Sequence, residues 1–280
     1  MHIGKYKLSV VNTGFFRLDG GAMFGVIPKN LWQKSNPPDD QNRIKLATRN
    51  LLLENGKKKI LVDTGMGNKW DDKAKKIYDI DQQRNSIETS LQGLNLKPED
   101  ITDVILTHLH FDHTGGSTKH ENGKIVPAFP NAKYFVHKKN YEWAMNPSER
   151  DKGSYIKENF APLYEEGVLN LISDESFDDE IDFIVVNGHT FGQQLLKIYD
   201  SENTILYCGD LFPTTSHVPL PYVMGYDLQP LITVMEKKKI LPVAVEENWK
   251  LFFEHDPETV FASVINSDKG FKISEKYDKL

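Results

Sequence analysis

One cysteine, Cys208, stands among 280 residues, so no disulfide can close within the chain and a cysteine-ligated iron–sulfur cluster is excluded. No apolar run approaches the roughly 18 residues that a membrane-crossing helix needs, which argues against membrane insertion. Excess positive charge is also missing: 34 Lys and Arg face 40 Asp and Glu, a formal charge of −6. That sign repels a polyanion, and nucleic acid is not an expected partner. The opening Met1-His-Ile-Gly-Lys5 has neither the apolar stretch nor the cleavage site of a secretory signal, so the expected compartment is the cytoplasm. Internal repeats, low-complexity tracts and a clear interdomain linker are absent too, and we expect a single domain over residues 1–280. With 39% hydrophobic and 26% charged residues, the chain has the composition of an ordinary globular protein.

Many short β-like runs alternate with a few helical ones, which predicts an α/β fold. Residues 50–53 and 59–62 flank Asn55-Gly56, the strongest short hairpin signal, and the second run ends at Asp63-Thr64-Gly65. Further strands are expected at 7–11, 103–106, 133–136, 181–186, 195–199, 204–208 and 250–253, with a last one at 259–264. Helices are expected at 86–94, 138–145 and 228–240, and residues 18–32 read as a loop rich in glycine and apolar side chains. Lys57-Lys-Lys59 and Lys237-Lys-Lys239 read as a hairpin tip and a helix face, both solvated.

The histidines are not spread as a surface would spread them. Of nine, five (His108, His110, His113, His189 and His255) directly follow a β-like run or sit in the loop after one. In His108-Leu-His110-Phe-Asp112-His113, four metal-capable side chains fall within six residues, a pattern that chance would give in roughly one sequence in a thousand. Imidazole with carboxylate suits Zn²⁺, Fe or Mn. Together with Asp210 the candidates number up to seven, enough for two metal ions sharing a bridge. Two divalent ions against two carboxylates leave the site electropositive, able to hold a hydroxide at neutral pH without a serine or cysteine nucleophile. Asp112 and Asp210 are the candidates to carry a proton to the leaving group.

His-x-His-x-Asp-His after a strand, a later Gly188-His189, a later Gly209-Asp210 and a final strand-end His255 together resemble the metallo-β-lactamase fold superfamily of binuclear hydrolases. The resemblance implies a four-layer αββα sandwich and two divalent metal ions, zinc first, with Fe, Mn or Co as alternatives. It also implies roles: His108, His110 and His189 on the first metal, Asp112, His113 and His255 on the second, and Asp210 bridging. Asp63, in the family's first motif, would orient a ligand from behind. Some antibiotic-destroying relatives carry a cysteine ligand where Asp210 stands here, so Cys208 is expected to be a buried strand residue. His2, His120 and His137 are expected to be surface or packing residues.

Fold membership leaves the substrate open, and pocket loops must decide it. Two candidate loops, 19–32 and 211–226, are dominated by Met, Phe, Val, Leu, Pro, Trp and Tyr, which favours an uncharged or acylated small-molecule ester or lactone. Met23, Phe24, Phe111, His217, Tyr222 and Tyr226 are the expected substrate contacts. Residues 19–29 and Gly209-Asp-Leu-Phe-Pro-Thr214 resemble quorum-quenching N-acyl-homoserine lactonases of the YtnP type, and so imply lactone ring opening. Well-studied lactonases carry a tyrosine where this chain has Pro213; Tyr222 or Tyr226 could supply that hydroxyl from the same loop. The alternatives are an arylesterase or organophosphate hydrolase on the same metals, and a non-catalytic metal-containing binding protein. Apolar loops beside such a site also make a homodimer plausible.

Overall fold

Asn55 and Gly56 turn the chain as their chemistry requires. The Asn55 side-chain oxygen accepts the amides of Lys57 and Lys58 at 3.1 and 2.8 Å, and Gly56 takes the left-handed φ of 79°. The turn joins Arg43–Glu54 to Lys59–Val62 in an antiparallel pair. The computed structural model describes residues 1–173 and 176–279. They fall into two compact units, 1–15 with 48–173 and 16–47 with 176–279.

Most of a seven-stranded sheet belongs to the first unit. Its strand order is His2–Ile3, Tyr6–Asp19, Arg43–Glu54, Lys59–Val62, Asp103–Ile105, Lys133–His137 and Leu169–Ile172. Helices Ile87–Gly93 and Lys138–Met145 press Leu91 and Ala144 against Leu52, Leu61, Val104 and Tyr134, all fully buried. Ser86 caps the first of these helices with a capping box to Thr89. The last four strands run parallel, so their C-terminal ends share one edge, where α/β sheets gather ligand-binding loops. Val62 pairs with Ile105, and the residues that follow, Asp63 and Thr107, are therefore neighbours.

In the second unit a six-stranded sheet runs Ile181–Val186, Gln193–Tyr199, Thr204–Tyr207, Lys250–Phe252, Phe261–Ser267 and Gly270–Tyr277. Helix Pro230–Glu246 packs Ile240, Leu241 and Ala244 onto Leu195, Leu206, Leu251 and Ala262. Here too one pair is parallel: Tyr207 lies beside Phe252, so the turns carrying Asp210 and His255 leave the same sheet edge.

Several elements differ from the sequence expectation. The first long strand reaches Asp19 rather than residue 11, and residues 18–32 fold into two short helices, Gly20–Phe24, capped by Asp19, and Lys29–Trp32. The C-terminal helix starts at Pro230, whose missing amide costs nothing in a first turn, and runs past Pro242. A terminal hairpin partner, Gly270–Tyr277, follows the strand expected to be last. Lys237 is not solvated: it is fully buried, while Lys238 and Lys239 are exposed. Consecutive helix residues point about 100° apart, so a three-lysine run on a helix packed against a sheet turns one of them inward.

The Asp63 loop meets the 108–116 segment backbone to backbone. A Cβ on Gly115 would sit 2.0 Å from the Met66 carbonyl oxygen, and one on Gly67 2.1 Å from that of Gly115. Gly115→Ala is therefore expected to destabilise the protein by about 1–3 kcal/mol or more in urea unfolding. Gly93→Ala, at the end of a helix with open space around it, should be neutral or stabilising by up to about 1 kcal/mol.

Candidate metal centre

In the first unit the Asp63 carboxylate organises the histidine-rich turn. Asp63 holds a left-handed φ of 57°, which aims its fully buried side chain at the next strand end. One oxygen accepts the Thr107 amide at 2.7 Å; the other accepts the Thr107 hydroxyl at 2.7 Å and His113 Nδ1 at 3.1 Å. Having given its proton to Asp63, the Thr107 hydroxyl can only accept from His108 Nδ1, 3.1 Å away. Both imidazoles are thereby set with the proton on Nδ1 and the lone pair on Nε2. His108 Nε2 faces His110 Nδ1 at 3.0 Å, close to the separation of about 3.3 Å expected for two nitrogens on one tetrahedral zinc. His110 also meets the Tyr155 ring edge-on at 4.7 Å, and the single-turn helix Phe111–Thr114 carries Asp112 and His113.

The same device recurs in the second unit. His189 Nδ1 donates to Asp227 Oδ1 at 3.0 Å, and His255 Nδ1 to the Ala47 carbonyl at 2.8 Å. Each ring turns Nε2 toward Asp210, whose two oxygens lie 3.2 Å from His189 and 3.2 Å from His255. The Asp210 carboxylate thus turns a different oxygen to each imidazole. The turn before His189 is pinned by Glu236, which accepts the amides of Asn187 and Gly188 at 2.6 and 3.1 Å. Burial pushes the Glu236 carboxyl up, and those amides pull it back. A Cβ on Gly188 would lie 2.4 Å from the Thr233 amide nitrogen, so only glycine admits the helix so close. All seven expected ligands are buried, and the donor set of imidazoles and carboxylates fits divalent cations.

The substrate residues expected from sequence are placed less uniformly. Phe111, 7% exposed, meets Trp70 edge-on at 5.3 Å and Tyr78 at 5.0 Å. The Tyr78 phenol is pushed up by burial and by the charge of Asp112, so it remains protonated at neutral pH. His217 departs from its expected role. It is 1% exposed, Nε2 donates to the Met23 carbonyl at 2.8 Å, and Nδ1 accepts the Thr214 hydroxyl at 2.8 Å. Burial holds its pKa down at about 4, and both polar atoms are committed to the fold. Met23 and Phe24 are buried with it, Phe24 stacking on His217 at 4.7 Å and on Trp32 at 5.3 Å. Tyr222 lines a cavity of about 590 Å³ within the second unit, and Tyr226 is 36% exposed. Sequence reading missed Thr107, Asp227, Trp70 and Tyr78. Thr107 directly precedes the histidine run, but a lone acid 38 positions after His189 carries no local signal.

The metallo-beta-lactamase superfamily model matches residues 46–258. The chain belongs to that superfamily. A probable metal-dependent hydrolase from Staphylococcus aureus is 30% identical with a TM-score of 0.89, covering 99% of this chain and 98% of its own. AidC, a dizinc quorum-quenching lactonase in complex with a product, is 22% identical with a TM-score of 0.82 over 99% and 96%. The N-acyl homoserine lactonase AttM of Rhizobium radiobacter is 26% identical over 64% of this chain, and the match spans 66% of its own length, just under two thirds. Metallo-beta-lactamase membership accounts for the architecture and for the spacing of the histidines and acids. Among the described residues, no helix is long and apolar enough to cross a membrane.

Replacing Asp227 with alanine removes the acceptor that fixes His189. The expected result is metal affinity lower by about 10–100-fold in a chelator-competition titration, with far-UV circular dichroism unchanged.

Proposed function

We propose that this chain is a binuclear metal-dependent hydrolase that opens N-acyl homoserine lactones or closely related lactones. The observation that carries the metal reading is the repeated anchoring of Nδ1 on His108, His113, His189 and His255, with Asp210 turning one oxygen to each of two Nε2 atoms. In this reading His108, His110 and His189 hold one ion, Asp112, His113 and His255 hold the other, and Asp210 bridges them. Bound divalent ions, zinc first, would supply Lewis acidity and acidify water.

The chain's own groups do the rest. Asp63, Thr107 and Asp227 accept the Nδ1 protons of these imidazoles in hydrogen bonds, so the neutral ring offers its lone pair at Nε2, the atom a ligand must present. In this reading Asp112 or Asp210 accepts a proton at a carboxylate oxygen and returns it to the leaving alkoxide. Phe111, Trp70 and Tyr78 form an aromatic wall suited to an acyl chain, and Tyr78 keeps a phenolic proton close enough to Asp112 to feel its charge. Tyr222 and Tyr226 remain the proposed sources of the hydroxyl that well-studied lactonases place where Pro213 stands. The lactonase relatives favour lactone over other acyl substrates. Pro213 favours a second reading, an arylesterase or organophosphate hydrolase on the same ions.

Purified protein should hold close to two transition-metal ions per chain by elemental analysis. On a panel of acyl-homoserine lactones, aryl esters, a phosphotriester and a β-lactam, the lactones should give the highest kcat/KM, and Asp210→Ala should lower it by about three orders of magnitude or more. Faster turnover of the aryl ester or phosphotriester would establish the second reading, and stoichiometric uptake without turnover would sink both. Phe111→Glu should raise KM for long-chain lactones about tenfold more than for short-chain ones; equal effects would remove the aromatic wall from the acyl site.

A further inference from the structure

Three prolines, Pro213, Pro219 and Pro221, punctuate the loop that leaves Asp210 and returns at Asp227. A loop so rich in proline is short of amide donors, and although Pro219 accepts the Tyr222 amide at 3.0 Å, several of its carbonyls take a donor from outside the loop. One side chain supplies it. Lys237, fully buried on helix Pro230–Glu246, donates from Nζ to the carbonyls of His217 at 2.6 Å, Pro219 at 2.8 Å and Tyr222 at 3.0 Å, with that of Leu220 at a longer 3.5 Å. An ammonium has three N–H groups in tripod geometry, and each has a carbonyl of this one loop. Nζ also lies over the Phe212 ring, 5.6 Å from its centroid.

Burying a lysine is costly unless its charge is compensated. Desolvation lowers the Lys237 pKa, while the charge of Asp227 and the surrounding carbonyl acceptors favour the protonated form. Other lysines of the helix stay in solvent, so folding brings this one inside for the loop's carbonyls. The loop is also held at its end, where Asp227 Oδ2 accepts the Met224 amide at 3.2 Å while Oδ1 fixes His189.

We infer that Lys237 is a positioning residue: its buried ammonium, bound to three carbonyls of the 211–227 loop, holds that loop in the one shape that admits substrate. The link to substrate rests on the hydrolase reading above; the clamp itself does not.

The test compares metal-loaded wild type, Lys237→Met and Lys237→Gln. Amide hydrogen exchange read by mass spectrometry should accelerate in 217–227 by about tenfold or more in Lys237→Met, the scale set by losing hydrogen bonds from a charged donor. Exchange in Gln193–Tyr199 and in the first unit should stay as in wild type. Lys237→Gln, which keeps a neutral donor, should give a smaller acceleration and serves if Lys237→Met does not fold. In turnover, KM for the best lactone should rise about tenfold with kcat within about threefold, at unchanged metal content. Unchanged loop exchange, or acceleration spread evenly over the chain, overturns the clamp. A fall in kcat at constant KM overturns its positioning role. Wild type that turns over no lactone, ester or phosphotriester defeats the hydrolase reading, while the exchange comparison still decides the clamp.

Discussion

An imidazole can offer a lone pair to a cation only from the nitrogen that carries no proton, and what binds the other nitrogen decides which one that is. This constraint runs through both units. Asp63 and Thr107 set His113 and His108, Asp227 sets His189, and the Ala47 carbonyl sets His255. Two of these four anchors trace to the Asp63 carboxylate, directly or through one hydroxyl. Fixing the tautomer in advance means that ring orientation need not be reorganised when a cation arrives.

Backbone geometry makes those hydrogen bonds possible. Parallel pairing of Lys59–Val62 with Asp103–Ile105 puts Asp63 beside Thr107, and parallel pairing of Thr204–Tyr207 with Lys250–Phe252 sends the turns of Asp210 and His255 off one edge. Glycines then allow close approach where a side chain would block it, at Gly67 and Gly115 in the first unit and at Gly188 in the second. Loops near the site are fixed by polar groups that belong to neighbouring elements: Glu236 and Lys237, adjacent on one helix, hold the turn before His189 and the loop after Asp210 respectively.

Much of this was legible in the residues themselves. The hairpin at Asn55-Gly56, the helix over Lys138–Met145 and the strand Ile181–Val186 follow from turn chemistry and apolar spacing, because each depends on neighbours within a few positions. The density of ligand-type side chains at 108–113 was equally visible. Roles set by distant partners were not. His217 sits in an apolar loop and looks like a pocket residue, yet its partners are Thr214 and the Met23 carbonyl 194 positions away. Lys237 sits in a basic run and looks solvated, yet the helix turns it inward to a proline-rich loop.

Local order thus determined the family, the expected ligands and most elements, because side-chain chemistry and short-range periodicity are written in sequence. Tertiary structure alone decided which nitrogen each histidine presents, which buried acid stands behind it, and which lysine of three leaves solvent. Apart from the neighbouring Thr107 behind His108, those outcomes depend on hydrogen bonds to partners 15 to 208 positions away, and only the folded chain brings such partners within 3 Å or so.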